Sequence, residues 1–140
     1  KRCLDLFSCT GALGIEAISR GAVRCEFVEK SYRNYRLIIR NTNRLDISEA
    51  TKVFCKDSMR FLNQSAGGYG LVMVDPPFSL NNWDELVGLV ARPKIVNDRG
   101  IVMLEHPVGT ILKDEYGVLK RVSKKKYGDS QVSFYEAYHG

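Results

Sequence analysis

The chain has 140 residues, a formal net charge of +5 and an isoelectric point near 9.1. Its length fits one domain, and its composition of 44% hydrophobic and 26% charged residues excludes a disordered chain. No apolar run approaches the roughly 18 residues that a membrane helix needs, and the basic balance favours an anionic partner.

Short apolar runs alternate with helical segments along the chain. Strands are predicted at 3–7, 24–28, 51–55, 70–74, 101–104, 118–122 and 132–138. Helices are predicted at 10–20, 32–45, 58–63 and 83–91. The alternation predicts an α/β fold with a mostly parallel sheet, helices on both faces and an antiparallel hairpin at one edge. The strand 70–74 is apolar throughout and should be central, and the polar turn K-K-K-Y-G-D-S should separate the last two strands.

The cysteines do not form a metal-binding pattern. Cys3, Cys9, Cys25 and Cys55 contain no C-x-x-C pair, and the chain has two histidines. Isolated cysteines of this kind are typical of reduced, partly buried thiols, and no signal peptide precedes the first strand. We therefore expect no metal and a cytoplasmic protein.

Residues with binding chemistry follow the first four predicted strands. The first strand leads into the turn S-C-T-G-A-L-G, where Gly11 and Gly14 allow a tight turn and a close approach to a ligand. Glu29 follows the second strand and can accept two hydrogen bonds from ribose hydroxyls. Asp57 follows the third strand and Asp75 the fourth. Because parallel sheets bind ligands at the carboxyl ends of their strands, these residues together predict a nucleoside pocket.

The glycine turn alone suits either NAD or S-adenosylmethionine (SAM). The dinucleotide fingerprint G-x-G-x-x-G would place its first glycine at residue 9, where this chain has Cys9. This difference from the fingerprint favours SAM over NAD.

The segment Asp75-Pro76-Pro77-Phe78 predicts a clamp for an exocyclic amine on a base. Two consecutive prolines fix a rigid, extended backbone without N–H donors. The Asp75 carboxylate and the Pro76 carbonyl can then accept hydrogen bonds from one amino group while Phe78 stacks on its ring. Any exocyclic amine fits this clamp, including those of guanine, adenine and cytosine.

The chain resembles the RsmD family, bacterial enzymes that use SAM to methylate the N2 amine of a guanine in 16S ribosomal RNA. The matching stretches run in order through essentially the whole chain: C-L-D-L-F-S-C-T-G-A-L-G-I-E-A-I-S-R-G-A, F-V-E-K, K-D-S-M-R-F-L, V-D-P-P-F and Y-G-D-S. The resemblance implies the Rossmann-like class I SAM-dependent methyltransferase fold with a seven-stranded sheet, in a single domain over residues 1–140.

The resemblance also implies roles for individual residues. SAM would be held by residues near the ends of the first three strands: Asp5, Phe7, Ser8, Cys9, Thr10, Gly11, Gly14, Glu29, Lys30, Asp57 and Ser58. Asp5 and the glycine turn would hold the methionine end, Glu29 the ribose, and Asp57 with Ser58 the adenine. The guanine clamp would be Asp75, Pro76, Pro77 and Phe78.

Three features depart from the family pattern. Cys9 stands where family members usually have glycine, and Ser31 replaces an acidic residue two positions after the ribose-binding Glu29. The chain also lacks the family's N-terminal segment, which includes a helix over part of the cofactor pocket, so we expect a truncated chain with reduced activity.

RNA contacts are predicted at a basic cluster late in the chain. Its members are Lys120, Arg121 and the lysine run Lys124, Lys125 and Lys126, which leads into Tyr127. A stripe of arginines, Arg33, Arg36, Arg40 and Arg44, is a second candidate. The expected partner is ribosomal RNA or an assembling small ribosomal subunit, bound by a monomer away from any membrane. A DNA amino-methyltransferase of the same fold and a non-catalytic SAM- or RNA-binding module remain alternatives.

Overall fold

A computed structural model describes residues 1–140 and contains one eight-stranded sheet. The strands are β1 (Arg2–Leu6), β2 (Arg24–Glu29), β3 (Thr51–Cys55), β4 (Tyr69–Val74), β5 (Val96–Pro107), β6 (Glu115–Tyr116), β7 (Leu119–Tyr127) and β8 (Ser130–Ala137). The helices are α1 (Ala12–Ser19), α2 (Tyr32–Arg44), α3 (Ser58–Gln64) and α4 (Trp83–Val90), and a short 3-10 helix spans Ser48–Ala50. None of these helices combines the length and the apolar character needed to cross a membrane.

The strand order is β3-β2-β1-β4-β5-β8-β7-β6. Strands β1 to β5 run parallel, whereas β8 is antiparallel to both β5 and β7. The predicted central position of β4 and the predicted terminal hairpin are confirmed. The direction of winding reverses between β1 and β4. Open sheets of this kind bind ligands beyond the carboxyl ends of the strands at such a reversal, and we call this place the crevice.

Two details of the predicted sheet are wrong. The sheet has eight strands rather than seven, because the two-residue β6 adds to β7 at Glu115 and Tyr116, and so short a strand has no apolar alternation to reveal it. The lysine run belongs to β7 rather than to the hairpin turn, which consists only of residues 128–129. Its backbone is paired with β8 while its side chains remain in solvent, a usual arrangement for lysines near a sheet edge.

Side chains alternate between the two faces of the sheet, and each face has its own core. Leu4 and Val72 belong to the larger core, which α3 and α4 cover. Cys3 and Met73 belong to the smaller core, which α1 and α2 cover with residues such as Ile38. The prediction of helices on both faces is confirmed. We call these faces the α3 side and the α1 side of the sheet.

The cysteines follow this division. Cys3 and Cys25 are buried in the core on the α1 side, whereas Cys9 and Cys55 are exposed, and all four are free thiols. The expected burial is therefore right for two cysteines and wrong for Cys9 and Cys55, which lie in the loop after β1 and on the edge strand β3.

Candidate functional site

The loop after β1 is wound tightly and fixed against β2. Phe7 and Cys9 both have φ +56° and Gly11 has φ +83°, a conformation that only glycine adopts without steric cost. The buried Ser8 hydroxyl donates to the Asp5 carbonyl at 2.5 Å and accepts the Val28 N–H at 3.1 Å. The family's usual glycine at position 9 thus has a physical reason, and Cys9 holds the same conformation under strain.

Asp5 is a buried carboxyl group beneath this loop. Its Oδ2 accepts the N–H of Gly14 at 3.0 Å. Burial raises the pKa of Asp5 to about 8, the Gly14 hydrogen bond opposes the rise, and the charges of Asp75 and Glu29 add to it. The crevice therefore contains an acid that stays largely neutral near pH 7 unless a cation lies nearby.

Gly14 is a packing residue of α1. A Cβ atom at this position would lie 2.3 Å from Cε2 of Phe27 and 2.7 Å from Sγ of Cys25. The missing side chain therefore lets α1 press against β2 rather than opening space for a ligand. The backbone N–H of Gly14 contributes to the site through Asp5.

The Glu29 carboxylate joins two loops by hydrogen bonds and can still accept more. Its Oε1 accepts the Cys9 N–H and its Oε2 accepts the Ser31 N–H, each at 2.8 Å. A carboxylate offers about four acceptor positions, so two remain for a pair of ribose hydroxyls. Ser31, the family departure, caps α2 by accepting the Asn34 N–H at 3.3 Å.

Asp57 and Ser58, which follow β3, lie beside the loop after β1. Asp57 caps α3 by accepting the Arg60 N–H at 3.1 Å, and its second oxygen makes no hydrogen bond. The buried Ser58 hydroxyl accepts the Phe7 N–H at 3.2 Å, which joins α3 to the loop after β1. The remaining predicted cofactor residues, Thr10 and Lys30, are exposed at the rim.

The segment after β4 presents unused acceptors beside an exposed ring. Asp75 is half-buried, Pro76 is buried, and the Phe78 side chain is 55% exposed. The Pro77 carbonyl accepts the Leu80 N–H at 3.0 Å, whereas the Pro76 carbonyl and the Asp75 carboxylate have no hydrogen-bond partner. This is the arrangement that a clamp for a ring amine requires.

Asp75 has a second acid beside it that the sequence analysis missed. Burial raises the pKa of Asp75 to about 6, with a further contribution from the charge of Glu105. Val74 of β4 pairs with Leu104 of β5, so Glu105 is the lateral neighbour of Asp75. The signal was present in the sequence, because Glu105 directly follows the predicted strand 101–104, just as Asp75 follows its own strand.

The lysine run lies outside the crevice and divides between the two faces. Lys125 pairs with Val132, which pairs with Glu105, so Lys125 lies on the α1 side in the same row as Asp75. Lys124 and Lys126 are directed to the α3 side, and Tyr127 is 59% exposed. Three strand spacings separate Lys125 from Asp75, or about 14 Å.

The arginine stripe forms a separate basic surface on α2. All four arginines of the stripe are exposed: Arg33, Arg36, Arg40 and Arg44. None takes part in the five ion pairs of the structure. No group of three or more His, Cys, Asp and Glu side chains is arranged to hold a metal ion.

The reversed strand order, the pinned loop after β1 and the carboxylates at four strand ends define the class of protein. The fold is the Rossmann-like fold of SAM-dependent methyltransferases. The family model described as "Conserved hypothetical protein 95" matches residues 1–136. The chain belongs to this family, the RsmD family.

Known proteins resemble the chain over most of its length. The Bacillus subtilis protein named "Putative rRNA methyltransferase YlbH" is 30% identical over 96% of this chain and 75% of its own length. The Escherichia coli "Ribosomal RNA small subunit methyltransferase D" is 32% identical over 76% of this chain and 54% of its own. The solved E. coli structure described as "Putative methyltransferase yhhF" superposes with a TM-score of 0.91 at 27% identity, covering 99% of this chain and 77% of that chain. The chain thus spans from about half to three quarters of the length of these relatives.

Proposed function

We propose that this protein transfers a methyl group from SAM to the N2 amine of a guanine in 16S ribosomal RNA, in the cytoplasm. The observation that carries the proposal is the pair of unused acceptors on Asp75 and Pro76 beside the exposed Phe78 ring. The small-subunit ribosomal RNA methyltransferase named among the relatives supports the choice of substrate.

The residues around the loop after β1 fit SAM. SAM supplies an electrophilic methyl group on a sulfonium cation. The buried Asp5 lies where a cation would stabilise its ionised form, and Glu29 keeps two acceptor positions for the ribose. The free oxygen of Asp57 suits the amine of an adenine.

The clamp makes the guanine amine a better nucleophile. The N2 lone pair is delocalised into the ring, and hydrogen bonds from N2–H to Asp75 and to the Pro76 carbonyl favour a more tetrahedral nitrogen. A bond forms between N2 and the methyl carbon while the carbon–sulfur bond breaks, and N2 loses one proton. With a pKa of about 6, Asp75 is mostly ionised at pH 7 and can accept that proton. Positioning of the two reacting atoms contributes several kcal/mol more.

The lysine run and Tyr127 are proposed to hold the RNA. A target base must leave its stack to reach Phe78, and phosphate contacts must hold the flanking backbone while it does so. Lys124, Lys125 and Lys126 are exposed and free of carboxylate partners, which suits contacts with phosphate.

The test is methyl transfer from labelled SAM to small-subunit ribosomal RNA prepared from cells lacking the gene. Asp75→Ala should reduce transfer by at least about 100-fold, the scale of losing one key polar group in an active site, and should leave SAM binding by calorimetry intact. Mass spectrometry of the product should find N2-methylguanosine. Retained transfer by Asp75→Ala would refute the mechanism, and preferred transfer to duplex DNA would refute the substrate.

A further inference from the structure

Glu105 lies beside the proposed clamp without a partner of its own. It follows Leu104 on β5, and the ladder partner of Leu104 is Val74, the residue before Asp75. The alternation of side chains along β4 and β5 directs both acidic residues to the α1 side of the sheet. Glu105 is half-buried, and none of the structure's ion pairs or hydrogen bonds includes its carboxylate. Its neighbour on the other flank is the apolar Val132.

Two adjacent carboxylates with no cation between them repel each other. The nearest basic residue in the same row is Lys125, two strand spacings from Glu105, or about 10 Å. Such a pair is unfavourable in the free protein unless hydrogen-bond donors arrive to satisfy it. The arrangement therefore suits a ligand that presents two donors side by side.

Guanine is the base that presents two such donors. Its N1–H lies next to its N2 amine on the Watson–Crick edge, whereas adenine and cytosine each place a bare ring nitrogen beside their amine. We infer that Glu105 accepts the N1–H of the target guanine while Asp75 accepts from N2–H, so that Glu105 selects guanine over other amine-bearing bases. This inference rests on the proposed function and specifies how its substrate is recognised.

Rejection of the other bases follows from the same contact. Adenine or cytosine would direct a ring-nitrogen lone pair at the Glu105 carboxylate and leave that carboxylate unsatisfied. Sites built around a substrate hydrogen bond discriminate strongly against analogues that lack the donor. Asp75 and Pro76 alone would accept any exocyclic amine.

The test compares guanosine with 2-aminopurine, which keeps the N2 amine and has an unprotonated N1. Both are placed at the methylated position of a small-subunit RNA fragment, located beforehand by mass spectrometry with the wild-type protein. The wild type should methylate guanosine at least about 100-fold faster than 2-aminopurine. Glu105→Gln should lower kcat/KM for guanosine by about 10–100-fold, because a charge-assisted hydrogen bond is lost. The same variant should raise kcat/KM for 2-aminopurine, because the new amide can donate to N1.

Controls separate recognition from folding. Glu49→Gln changes an exposed glutamate on the 3-10 helix and should leave both rates unchanged. Glu105→Asp keeps the acidic group on a shorter side chain, so it should slow guanosine without improving 2-aminopurine. If Glu105→Gln fails to fold, the Glu105→Asp result decides the question.

The possible failures are distinguishable. Guanine N2 methylation with an unchanged guanosine to 2-aminopurine ratio in Glu105→Gln would refute the role of Glu105 and keep the proposed function. Wild-type methylation of an adenine or cytosine amine, or of no base, would refute both.

Discussion

The strained backbone at Cys9 predicts that Cys9→Gly stabilises the protein. A non-glycine residue in the left-handed region costs roughly 1–2 kcal/mol, and Cys9 has φ +56°. Glycine loses roughly 0.5–1 kcal/mol more conformational entropy on folding, so the net gain is about 0.5–1 kcal/mol. The hydrogen bond to Glu29 uses the backbone N–H and survives, and the thiol is exposed, so little buried area is lost.

Urea unfolding measures this gain. With a slope of about 2 kcal/mol per molar urea, the midpoint of Cys9→Gly should rise by about 0.25–0.5 M. Cys9→Ala is the matched control, because it removes the thiol and keeps a Cβ in the left-handed conformation. It should show no such rise. Equal midpoints for the glycine and alanine variants would refute the argument from backbone strain.

Of three further predictions, two are also measured by urea unfolding and the third by RNA binding. Gly14→Ala should destabilise the protein by about 1–3 kcal/mol, because its Cβ would lie 2.3 Å from a ring carbon of Phe27 on β2. Gly88→Ala on α4 is the matched control. It has open space around it and should stabilise the protein by about 0.5–1 kcal/mol. The raised pKa of Asp5 means that the folded state binds a proton between about pH 4 and pH 8 that the unfolded state has released, so stability should fall as pH rises through this range. Asp5→Asn should flatten that fall in urea unfolding at pH 5 to 8, and equal slopes in both proteins would contradict the assignment. Lys125→Ala should weaken RNA binding more than Lys124→Ala, because of these two lysines only Lys125 lies on the same side of the sheet as Asp75. In a filter-binding salt titration, Lys125→Ala should also reduce the slope of log K against log salt concentration by about 0.7–0.9. Equal losses of binding in the two variants would contradict this prediction.

Most of the fold could be predicted from periodicity. The apolar runs marked the strands because parallel strands buried on both faces read as continuous hydrophobic segments. The strand 70–74 has no polar residue, and β4 is central for that reason. The two-residue β6 was not predicted, because its pairing depends on the neighbouring β7 rather than on any sequence pattern of its own.

The candidate site was predictable wherever chemistry followed a strand along the chain. Glu29, Asp57 and Asp75 each stand at a strand end, and the structure places all three at one edge of the sheet. Periodicity could not predict which residues of neighbouring strands lie side by side. The pairing of Val74 with Leu104 sets Glu105 beside Asp75, and that neighbour lies 30 positions away in the sequence. Register likewise decides which lysine of β7 lies on the same side of the sheet as Asp75.

Acidic residues are concentrated at the carboxyl edge of the sheet, and their charges act on one another. Five acidic residues lie near the carboxyl edge of the sheet: Asp5, Glu29, Asp57, Asp75 and Glu105. The net charge of the chain is nevertheless +5, and exposed basic residues lie on β7 and α2. Mutual repulsion adds to burial in raising the pKa values of Asp5 and Asp75. A cation bound at this edge would lower both pKa values, because an opposite charge favours the ionised carboxyl. Binding of the cationic cofactor should therefore leave Asp75 more fully ionised. In the proposed reaction, this is the form that can accept both the N2–H hydrogen bond and the proton that methylation releases.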